Sequence, residues 1–319
     1  MSDIESILKV ADATGASDTA ARHATPMQEP SLWPEIRNII ETDIRTMPRG
    51  LQREIGPSEL GGTCVHCLAA KLAGWPERKS PAWLPFIGTC VHQHMEHLFD
   101  RLNGDPAYQF DMLSDDNTPE LVERFRAEYR VSVGRIQGLY GGADITGSID
   151  LWDRKTRATI DWKIVGTTTL TKVKAHGPSQ QYRVQASLYG IGLENEGETV
   201  DRSCIYFLPR SKTSLDQALP VELPFDPRPG RWALARAQLL VNLMDLIEQT
   251  DGPDVRDAWI HALPSNPDDC FQCRACAWPD QTNLPGFETR GYAPVPDKWR
   301  KLIPLIEPHC TTPATQDGE

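Results

Sequence analysis

The chain of 319 residues is predicted to fold as a mixed α/β protein, in which a central sheet is flanked by helices. Two observations predict this class. Apolar residues recur at helical spacing in several segments before residue 130, whereas three consecutive segments after it have the pattern of a β-meander. A helix, one further strand and a long helix follow. Strands interrupted by helical segments favour a mixed sheet that helices cover.

Helices are expected to dominate the first part of the chain. We predict them over residues 31–46, in a short segment after Ser58, over 89–102 and over 119–130. The apolar residues of 89–102 form one stripe at helical spacing, which is typical of a helix that packs on a core.

The elements expected after residue 130 are three strands, a helix, a buried strand and a long amphipathic helix. The first helix of this part begins at Pro178 and Ser179, which together are a typical helix start. In chain order, the expected ranges are 131–140, 143–152, 158–165, 179–194, 204–208 and 231–249.

Composition limits the classes of function. The formal net charge of -11 argues against a protein that coats nucleic acid through charge alone, but it leaves room for an enzyme with a local basic groove. No apolar run approaches the roughly 20 residues that cross a bilayer, so we expect a cytoplasmic protein without a membrane partner. The candidate basic residues, which in isolation are typical of solvated surface, are Lys163, Lys172, Lys174, His176, Arg183, Arg202, Arg210 and Lys212.

The predicted hairpin of the second and third strands carries two carboxylates at facing positions. If its turn is centred between Lys155 and Thr156, the antiparallel register pairs Asp150 with Asp161. Side chains alternate between the faces of a strand, so Asp150, Asp161 and Lys163 share one face. Like charges that face each other destabilise a sheet by about 0.2–1 kcal/mol, and a divalent cation would turn them into a binding site.

The other face of this hairpin is predicted to be apolar and to belong to the core. Its members are Ile149, Leu151, Ile160, Trp162 and Ile164. Taken alone, the sequence Asp-x-Lys is typical of a salt-bridged surface hairpin, so the metal site needs further support.

Two further features lie on predicted helices. Gln185 and Tyr189 are four residues apart and therefore project from one helical face. His92 lies in the first turn of a predicted helix, with Glu96 one turn later, and either side chain can reach a metal. Each feature alone is common in helices that bind nothing.

Eight cysteines are many for a cytosolic chain, in which disulfides are disfavoured. Cys64 and Cys67 form one C-x2-C pair, and a C-x2-C-x2-C run lies near the carboxyl terminus at Cys270, Cys273 and Cys276. Such spacing is typical of metal ligands, whether for tetrahedral zinc or for an iron–sulfur cluster. The other three cysteines, Cys90, Cys204 and Cys310, are expected to be ordinary thiols.

In order and spacing, four of these features resemble the signature motifs of RecB-type nucleases, which belong to the PD-(D/E)XK superfamily. The match extends from Gly88 to Tyr189. Its motifs are Gly88 to His92, Gly147 to Asp150, Asp161-Trp162-Lys163, and Gln185 to Tyr189.

The resemblance implies a restriction-endonuclease-like sheet and a role for each matching residue. His92, Asp150 and Asp161 would bind Mg²⁺ or Mn²⁺ with the Trp162 carbonyl, and Lys163 would be the catalytic lysine. Gln185 and Tyr189 would contact the DNA strand or order the active site.

The cysteines resemble those of the iron–sulfur branch of this family, which includes the CRISPR-associated iron–sulfur exonucleases and AddB-type nuclease domains. By that resemblance Cys64 would bind a [4Fe–4S] cluster together with Cys270, Cys273 and Cys276. The C-terminal spacing is tighter than in that branch, and Cys67 would be a spare thiol. A structural Zn²⁺ on the same cysteines is therefore the alternative.

Composition and lack of periodicity predict a disordered arm over residues 1–30 and a disordered tail over 311–319. The resemblance implies one nuclease domain between them, over 31–310. Its core would span about 85–225, and segments of about 55–80 and 265–280 would join in a helical, metal-stapled subdomain.

The function expected from this resemblance is a metal-dependent DNA exonuclease that acts on DNA ends or single strands in recombination, repair or phage DNA processing. The alternatives are a non-catalytic DNA-binding adaptor with a structural zinc, or a metal-dependent endonuclease. The chain has no G-x4-G-K-[ST] motif, so a helicase or recombinase would be a separate partner, and self-association is equally open.

Overall fold

The computed structural model describes residues 31–46, 55–77, 82–113, 118–268, 270–274 and 291–311. The chain divides into two compact units, residues 1–42 and 43–319, and each is described by itself. Helix α1 (Trp33–Thr46) begins in the first unit and matches the helix predicted over 31–46. The predicted arm over 1–30 and all but the first residue of the predicted tail lie outside the described residues.

Three helices and a two-stranded hairpin precede the main sheet. The helices are α2 (Pro57–Leu60), α3 (Val65–Leu72) and α4 (Trp83–Asn103), and the hairpin pairs β1 (Gln109–Leu113) with β2 (Pro119–Glu123). Helix α4 begins six residues before its predicted start. Pro85 does not prevent this, because it lies in the first turn, where the helix requires no N–H from it.

The main sheet has five strands in the order β3-β4-β5-β6-β7, and only β5 and β6 are parallel among its neighbours. The parallel pair is connected through helices α5 and α6. The bounds are β3 (Phe125–Gly138), β4 (Gly141–Asp153), β5 (Ala158–Val165), α5 (Thr167–His176), α6 (Gln180–Asn195), β6 (Arg202–Pro209) and β7 (Leu219–Pro224). The predicted mixed sheet flanked by helices is therefore confirmed.

The predicted helix over residues 119–130 is wrong, because this segment forms β2 and the start of β3. Val131 and Val133 on β3 are buried and Ser132 between them is exposed, which is the period of a strand. β3 pairs with β4 along its whole length. A helix in its place would satisfy its own backbone groups but would leave this edge of β4 without a partner strand. Tertiary pairing thus overrides local preference.

The predicted register of the β4–β5 hairpin is confirmed near its turn, where Leu151 pairs with Ile160 and Asp153 with Ala158. The regular pairing ends at Leu151, so the predicted pair of Asp150 with Asp161 does not form. Instead, the Asp150 carboxylate accepts a hydrogen bond from the Trp162 backbone N–H at 2.7 Å. The two strands therefore separate at the position where the acidic residues lie.

The predicted single apolar face is wrong at Ile149, and Ile164 is only half-buried, outside the described core clusters. Leu151, Ile160 and Trp162 pack in one cluster with Phe125, whereas Ile149 belongs to the large core on the other side of the sheet. The strict alternation of side chains is interrupted at Asp150, next to the break in strand pairing. Both faces of the hairpin are buried, so its acidic residues are enclosed by protein.

The large core lies where α6 and a long C-terminal helix pack on β3, and a second C-terminal helix packs on the first. These helices are α7 (Arg228–Asp251) and α8 (Pro253–Ala262), and the short helices α9 (Phe271–Arg274) and α10 (Asp297–Arg300) follow. Three 3-10 helices complete the described elements: Pro106–Tyr108, Leu215–Gln217 and Ile303–Leu305. Among the described helices, none is long and apolar enough to cross a membrane.

A buried arginine joins the two ends of the chain to this core. The Arg236 guanidinium on α7 donates hydrogen bonds to the carbonyls of Leu60 at 2.6 Å, Gly62 at 2.8 Å and Pro308 at 3.2 Å. Because a buried charge is stable only when its donors are satisfied, this set of bonds fixes the segment just before Cys64 against α7.

Candidate active site and cysteine cluster

Two buried carboxylates occupy the point where β4 and β5 separate. Asp150 is 9% exposed and Asp161 is 3% exposed. A carboxylate seldom occupies such a position without a partner, because burial without compensation is costly. Each of them does have one: Asp150 accepts the Trp162 N–H, and Asp161 binds Lys163.

His92 on α4 bridges the two strands. Its Nε2 lies 3.0 Å from the Trp162 carbonyl oxygen, to which it can only donate. Its Nδ1 faces two carboxylates, with Asp150 Oδ1 at 3.3 Å and Glu128 Oε1 at 3.8 Å. In a neutral imidazole held this way, the Nδ1 lone pair points at the carboxylates, as in a metal ligand whose other nitrogen is fixed by a carbonyl.

Glu128 is a site residue that the sequence analysis missed. It stands on β3 between Ala127 and Tyr129, which pair with Leu151 and Ile149, and so lies opposite Asp150. Its φ is +44°, a conformation that non-glycine residues rarely adopt and that clusters at functional sites. The Ser148 hydroxyl donates to Glu128 Oε2 at 2.6 Å and orients it.

The strand pattern of residues 125–133 is the feature that would have revealed Glu128. Once that segment is treated as a strand paired with β4, the register places Glu128 beside Asp150 without further information. The predicted helix over 119–130 concealed this relation.

His92, Glu128 and Asp150 form a group that could hold a metal ion, since their ligand atoms all lie within 4.8 Å of one another. An imidazole nitrogen with carboxylate oxygens suits Mg²⁺ or Mn²⁺ chemically. Asp161 is adjacent to this group and forms its closest ion pair with Lys163, at 2.7 Å from Nζ to Oδ2.

A chain of hydrogen bonds runs from Asp161 to α6. Lys163 Nζ donates to Gln185 Oε1 at 2.9 Å, and Gln185 Nε2 donates to the Tyr189 hydroxyl at 2.8 Å. Gln185 and Tyr189 are both buried, so this chain holds the lysine in one position. The residues that the sequence analysis grouped from four motifs therefore meet in one place.

The electrostatic field of the site raises the pKa of two groups. Burial raises the pKa of Asp161 to about 6, aided by the neighbouring Asp150 carboxylate and opposed by Lys163. Burial and the same two carboxylates raise the pKa of Tyr189 well above its ordinary value, so it is a neutral phenol. In the absence of a cation, Asp161 therefore holds a proton more readily than an exposed carboxyl does.

Four cysteines from distant segments of the chain meet at the start of α3. Cys64 precedes α3, Cys67 lies in its first turn, Cys270 precedes α9 and Cys273 lies in it. Their sulfurs are all within 4.8 Å of one another, with Cys64–Cys273 at 3.4 Å, Cys67–Cys273 at 3.3 Å and Cys67–Cys270 at 3.5 Å. The predicted joining of N- and C-terminal segments by cysteines is confirmed.

The membership of this cluster differs from the predicted ligand set. Cys67 is a spare thiol in the iron–sulfur prediction and a ligand in the zinc alternative. Its sulfur lies 3.5 Å from that of Cys270 and 3.3 Å from that of Cys273. Cys276 lies outside the described residues. A metal ion at the centre of four thiolates, with bonds of about 2.3 Å, separates the sulfurs by about 3.8 Å. The observed spacing fits one such ion.

Hydrogen bonds among the thiols act in opposite directions on two of them. The bond to Cys270, followed by that to Cys67, lowers the pKa of Cys64 to about 4, although burial opposes this. The bonds of Cys67 to Cys270 and Cys64, together with burial, raise the pKa of Cys67. Since thiolate rather than thiol binds metal, Cys64 is the more readily available ligand and Cys67 would have to release its proton on binding.

Comparison with known proteins gives only distant similarities. No family model and no curated protein matches the chain. Among solved structures it is similar to SSO0001, with 12% identity and a TM-score of 0.39 over 70% of this chain and 91% of that one. It is similar to an alkaline exonuclease from Laribacter hongkongensis, with 13% identity and a TM-score of 0.33 over 66% and 91%.

A candidate exonuclease from Eubacterium rectale is also similar, with 14% identity and a TM-score of 0.35 over 82% of this chain and 94% of that one. At such identities and TM-scores none of the three carries weight for function. The proposals below therefore rest on the geometry of this chain.

Proposed function

We propose that the chain is a metal-dependent deoxyribonuclease that acts as an exonuclease on DNA ends or single strands, in DNA recombination, repair or phage DNA processing. The observation that supports this most is the buried Asp161–Lys163 pair beside the His92, Glu128 and Asp150 group. A salt bridge on the surface would leave both side chains in water, and a salt bridge with only a structural role would not require the carboxylates of Glu128 and Asp150 beside it.

The metal would be held by His92, Glu128 and Asp150, with the predicted ligands Asp161 and the Trp162 carbonyl next to them. A bound Mg²⁺ or Mn²⁺ supplies a hydroxide nucleophile at neutral pH and neutralises charge on the scissile phosphate. These are the two requirements of phosphodiester hydrolysis.

Lys163 is positioned to assist that attack. Its ammonium has three N–H groups, and the bonds to Asp161 and Gln185 use two of them. The third can orient the attacking water or a phosphate oxygen. Gln185 and Tyr189, held together on α6, keep the ammonium in place and are positioning residues in this proposal.

The cysteine cluster is proposed to be structural. The short distances between its sulfurs support a single tetrahedral Zn²⁺ held by Cys64, Cys67, Cys270 and Cys273. The [4Fe–4S] cluster on Cys64, Cys270, Cys273 and Cys276 stays a prediction, and it requires wider separation of the ligands around four irons. Either group would stabilise the contact between the two ends of the chain.

The test of the nuclease proposal is digestion of end-labelled linear DNA and of covalently closed circular DNA with Mn²⁺. We expect wild type to degrade the linear DNA and Lys163→Ala to lose at least about 10²-fold in rate. The matched control is Lys155→Ala, because Lys155 is an exposed lysine in the turn of the same hairpin. It should keep the wild-type rate.

Three outcomes would contradict the proposal. Cutting of the circular DNA would replace the exonuclease with an endonuclease. Equal inertness of wild type and Lys163→Ala, with DNA binding retained, would favour the non-catalytic adaptor. Equal losses for Lys163→Ala and Lys155→Ala would show that the effect is not specific to the site.

A further inference from the structure

A groove of about 720 Å³ lies between the cysteine cluster and the first turns of α6. One wall is formed by α5 and the start of α6, and the other by the segment around Cys64 and by α9. Its lining includes Lys172, His176 and Arg183, three of the basic residues that are scattered in the sequence. Folding thus gathers them on one surface.

The charge of this groove is opposite to that of the whole protein. Within the described residues that line it, the only carboxylate is Glu59, which forms a salt bridge with Lys71. Lys172, His176 and Arg183 are exposed to solvent. The amino-terminal end of α6 opens into the same groove and adds a positive partial charge. In a chain of net charge -11, this local excess of positive charge is suited to a polyanion.

The groove also presents aromatic rings. Phe271 on α9 is 64% exposed although it is a large apolar side chain, and it lines the groove opposite the basic residues. Tyr182 lines the groove from α6 and lies with its ring 5.2 Å from Lys163 Nζ. Basic side chains that follow a backbone, together with aromatic rings for stacking, are typical of surfaces that bind single-stranded nucleic acid.

Tyr182 connects this groove with the candidate active site. The same residue contacts the Lys163 ammonium on one side and lines the groove on the other. A strand lying along the groove would therefore lead directly to Lys163. A duplex requires both strands to fit, whereas unpaired bases alone can stack on Phe271.

We propose that this groove binds a single strand of DNA and guides it to the active site, with Lys172 and Arg183 on its phosphates and Phe271 stacked on a base. The inference rests on the proposed nuclease function only for the destination of the strand. Binding itself can be measured without catalysis.

The experiment measures binding of a fluorescein-labelled oligothymidylate to the full chain with metal in its cysteine cluster. The buffer contains no Mg²⁺ or Mn²⁺, and the salt concentration is varied. We expect the double variant Lys172→Glu with Arg183→Glu to bind at least about tenfold more weakly at low salt. Removing two phosphate contacts should reduce the slope of log K against log salt by about 1.4. Phe271→Ala should weaken binding by about tenfold without changing the slope.

Lys174 provides the matched control. It lies on the same helix, is equally exposed, and is two residues from Lys172, so it points away from the groove. Lys174→Glu should therefore weaken binding much less than Lys172→Glu. Thermal unfolding of each variant checks that the fold is retained, which the exposure of these side chains leads us to expect.

The outcomes separate this inference from the nuclease proposal. Three results would contradict binding of single-stranded DNA in the groove. The double variant could bind as wild type does, Lys172→Glu and Lys174→Glu could have equal effects, or a blunt duplex could compete equally well. If wild type cuts no DNA but these differences in binding are observed, the nuclease proposal is contradicted and the binding of single-stranded DNA in the groove is supported.

Discussion

The carboxylate site and the cysteine cluster are both buried, yet they are assembled over very different distances along the chain. Asp150, Asp161 and Lys163 come from one hairpin, and β3 adds Glu128 from the adjacent strand. Cys64 and Cys273 are 209 residues apart. The carboxylates are brought together by pairing of neighbouring strands, whereas the cysteines meet only when segments from nearly opposite ends of the domain come together.

Because of this difference, we expect the carboxylate site to determine catalysis and the cysteine cluster to determine stability. Strand register holds the carboxylates together even though they repel one another, so their removal should affect catalysis and leave the fold. Closing a long loop costs entropy that a metal ion on four sulfurs offsets, so removal of a cysteine should affect stability first.

The largest effect is expected at the cluster. By the entropy of closing a loop of some 200 residues, Cys273→Ser should lower the free energy of unfolding by up to about 5 kcal/mol. Urea denaturation monitored by circular dichroism would measure this. Cys90→Ser is the control, because Cys90 is an exposed thiol outside the cluster, and it should be neutral.

The same measurement distinguishes the two metal centres. If four sulfurs hold one zinc, Cys67→Ser should destabilise as Cys273→Ser does, and Cys276→Ser should not. If a [4Fe–4S] cluster is bound, the effects of these two variants should be reversed. The zinc protein would be colourless with one zinc per chain, whereas the cluster protein, purified without oxygen, would be brown and contain iron.

The next effect is expected at the carboxylates. Asp161→Asn should reduce the rate of hydrolysis by about 10³-fold, or about 4 kcal/mol, because it removes the acidic partner of Lys163 and a predicted metal ligand. Its stability in the absence of Mg²⁺ should not fall, since a buried charge is removed. Loss of stability comparable with that of Cys273→Ser would contradict the separation of the two regions.

A pH dependence follows from the pKa of about 6 at Asp161, against an ordinary value of 3.8. Between these two values the folded protein retains a proton that the unfolded chain has released. Stability without Mg²⁺ or Mn²⁺ should therefore fall as pH rises from about 4 to 6, by up to about 3 kcal/mol, and then level off.

Urea titrations of wild type and Asp161→Asn across this range would measure that dependence. The Asp161→Asn protein should lose this component. An unchanged pH profile in the variant would assign the dependence to other groups.

The smallest effect is expected at the positioning residues of α6. Gln185→Leu removes one acceptor of Lys163 and should lower kcat by about tenfold with little change in KM. Tyr189→Phe keeps Gln185 and removes only the hydroxyl that Gln185 binds, so it should cost less. A larger effect of Tyr189→Phe than of Gln185→Leu would contradict the order of this hydrogen-bond chain.

The hairpin of the carboxylate site was accessible from sequence because its register near the turn follows from alternation and a short turn. Leu151 opposite Ile160 is the pairing that separates apolar from polar side chains, and the structure has that pairing. His92, Gln185 and Tyr189 were accessible through the resemblance of their motifs. Pairing between neighbouring strands needs little long-range information.

Glu128 was not identified, and Cys67 was a ligand only in the zinc alternative, for two different reasons. Glu128 was hidden by the helix expected over 119–130, since only the partner strand shows that this segment is extended. Cys67 is one helical turn from Cys64, and spacing alone does not say which of two neighbouring thiols faces Cys270 and Cys273.

The mixed α/β class and the hairpin pairing near its turn follow from the sequence alone, as do residue types that suit one hard cation and one thiolate-bound metal. The folded chain was needed to show that the hairpin separates at Asp150, that Glu128 adopts a positive φ beside it, and that scattered basic residues line one groove with Phe271. Alternation and short turns depend on neighbouring residues, whereas burial and the meeting of distant segments depend on the packing of the whole domain.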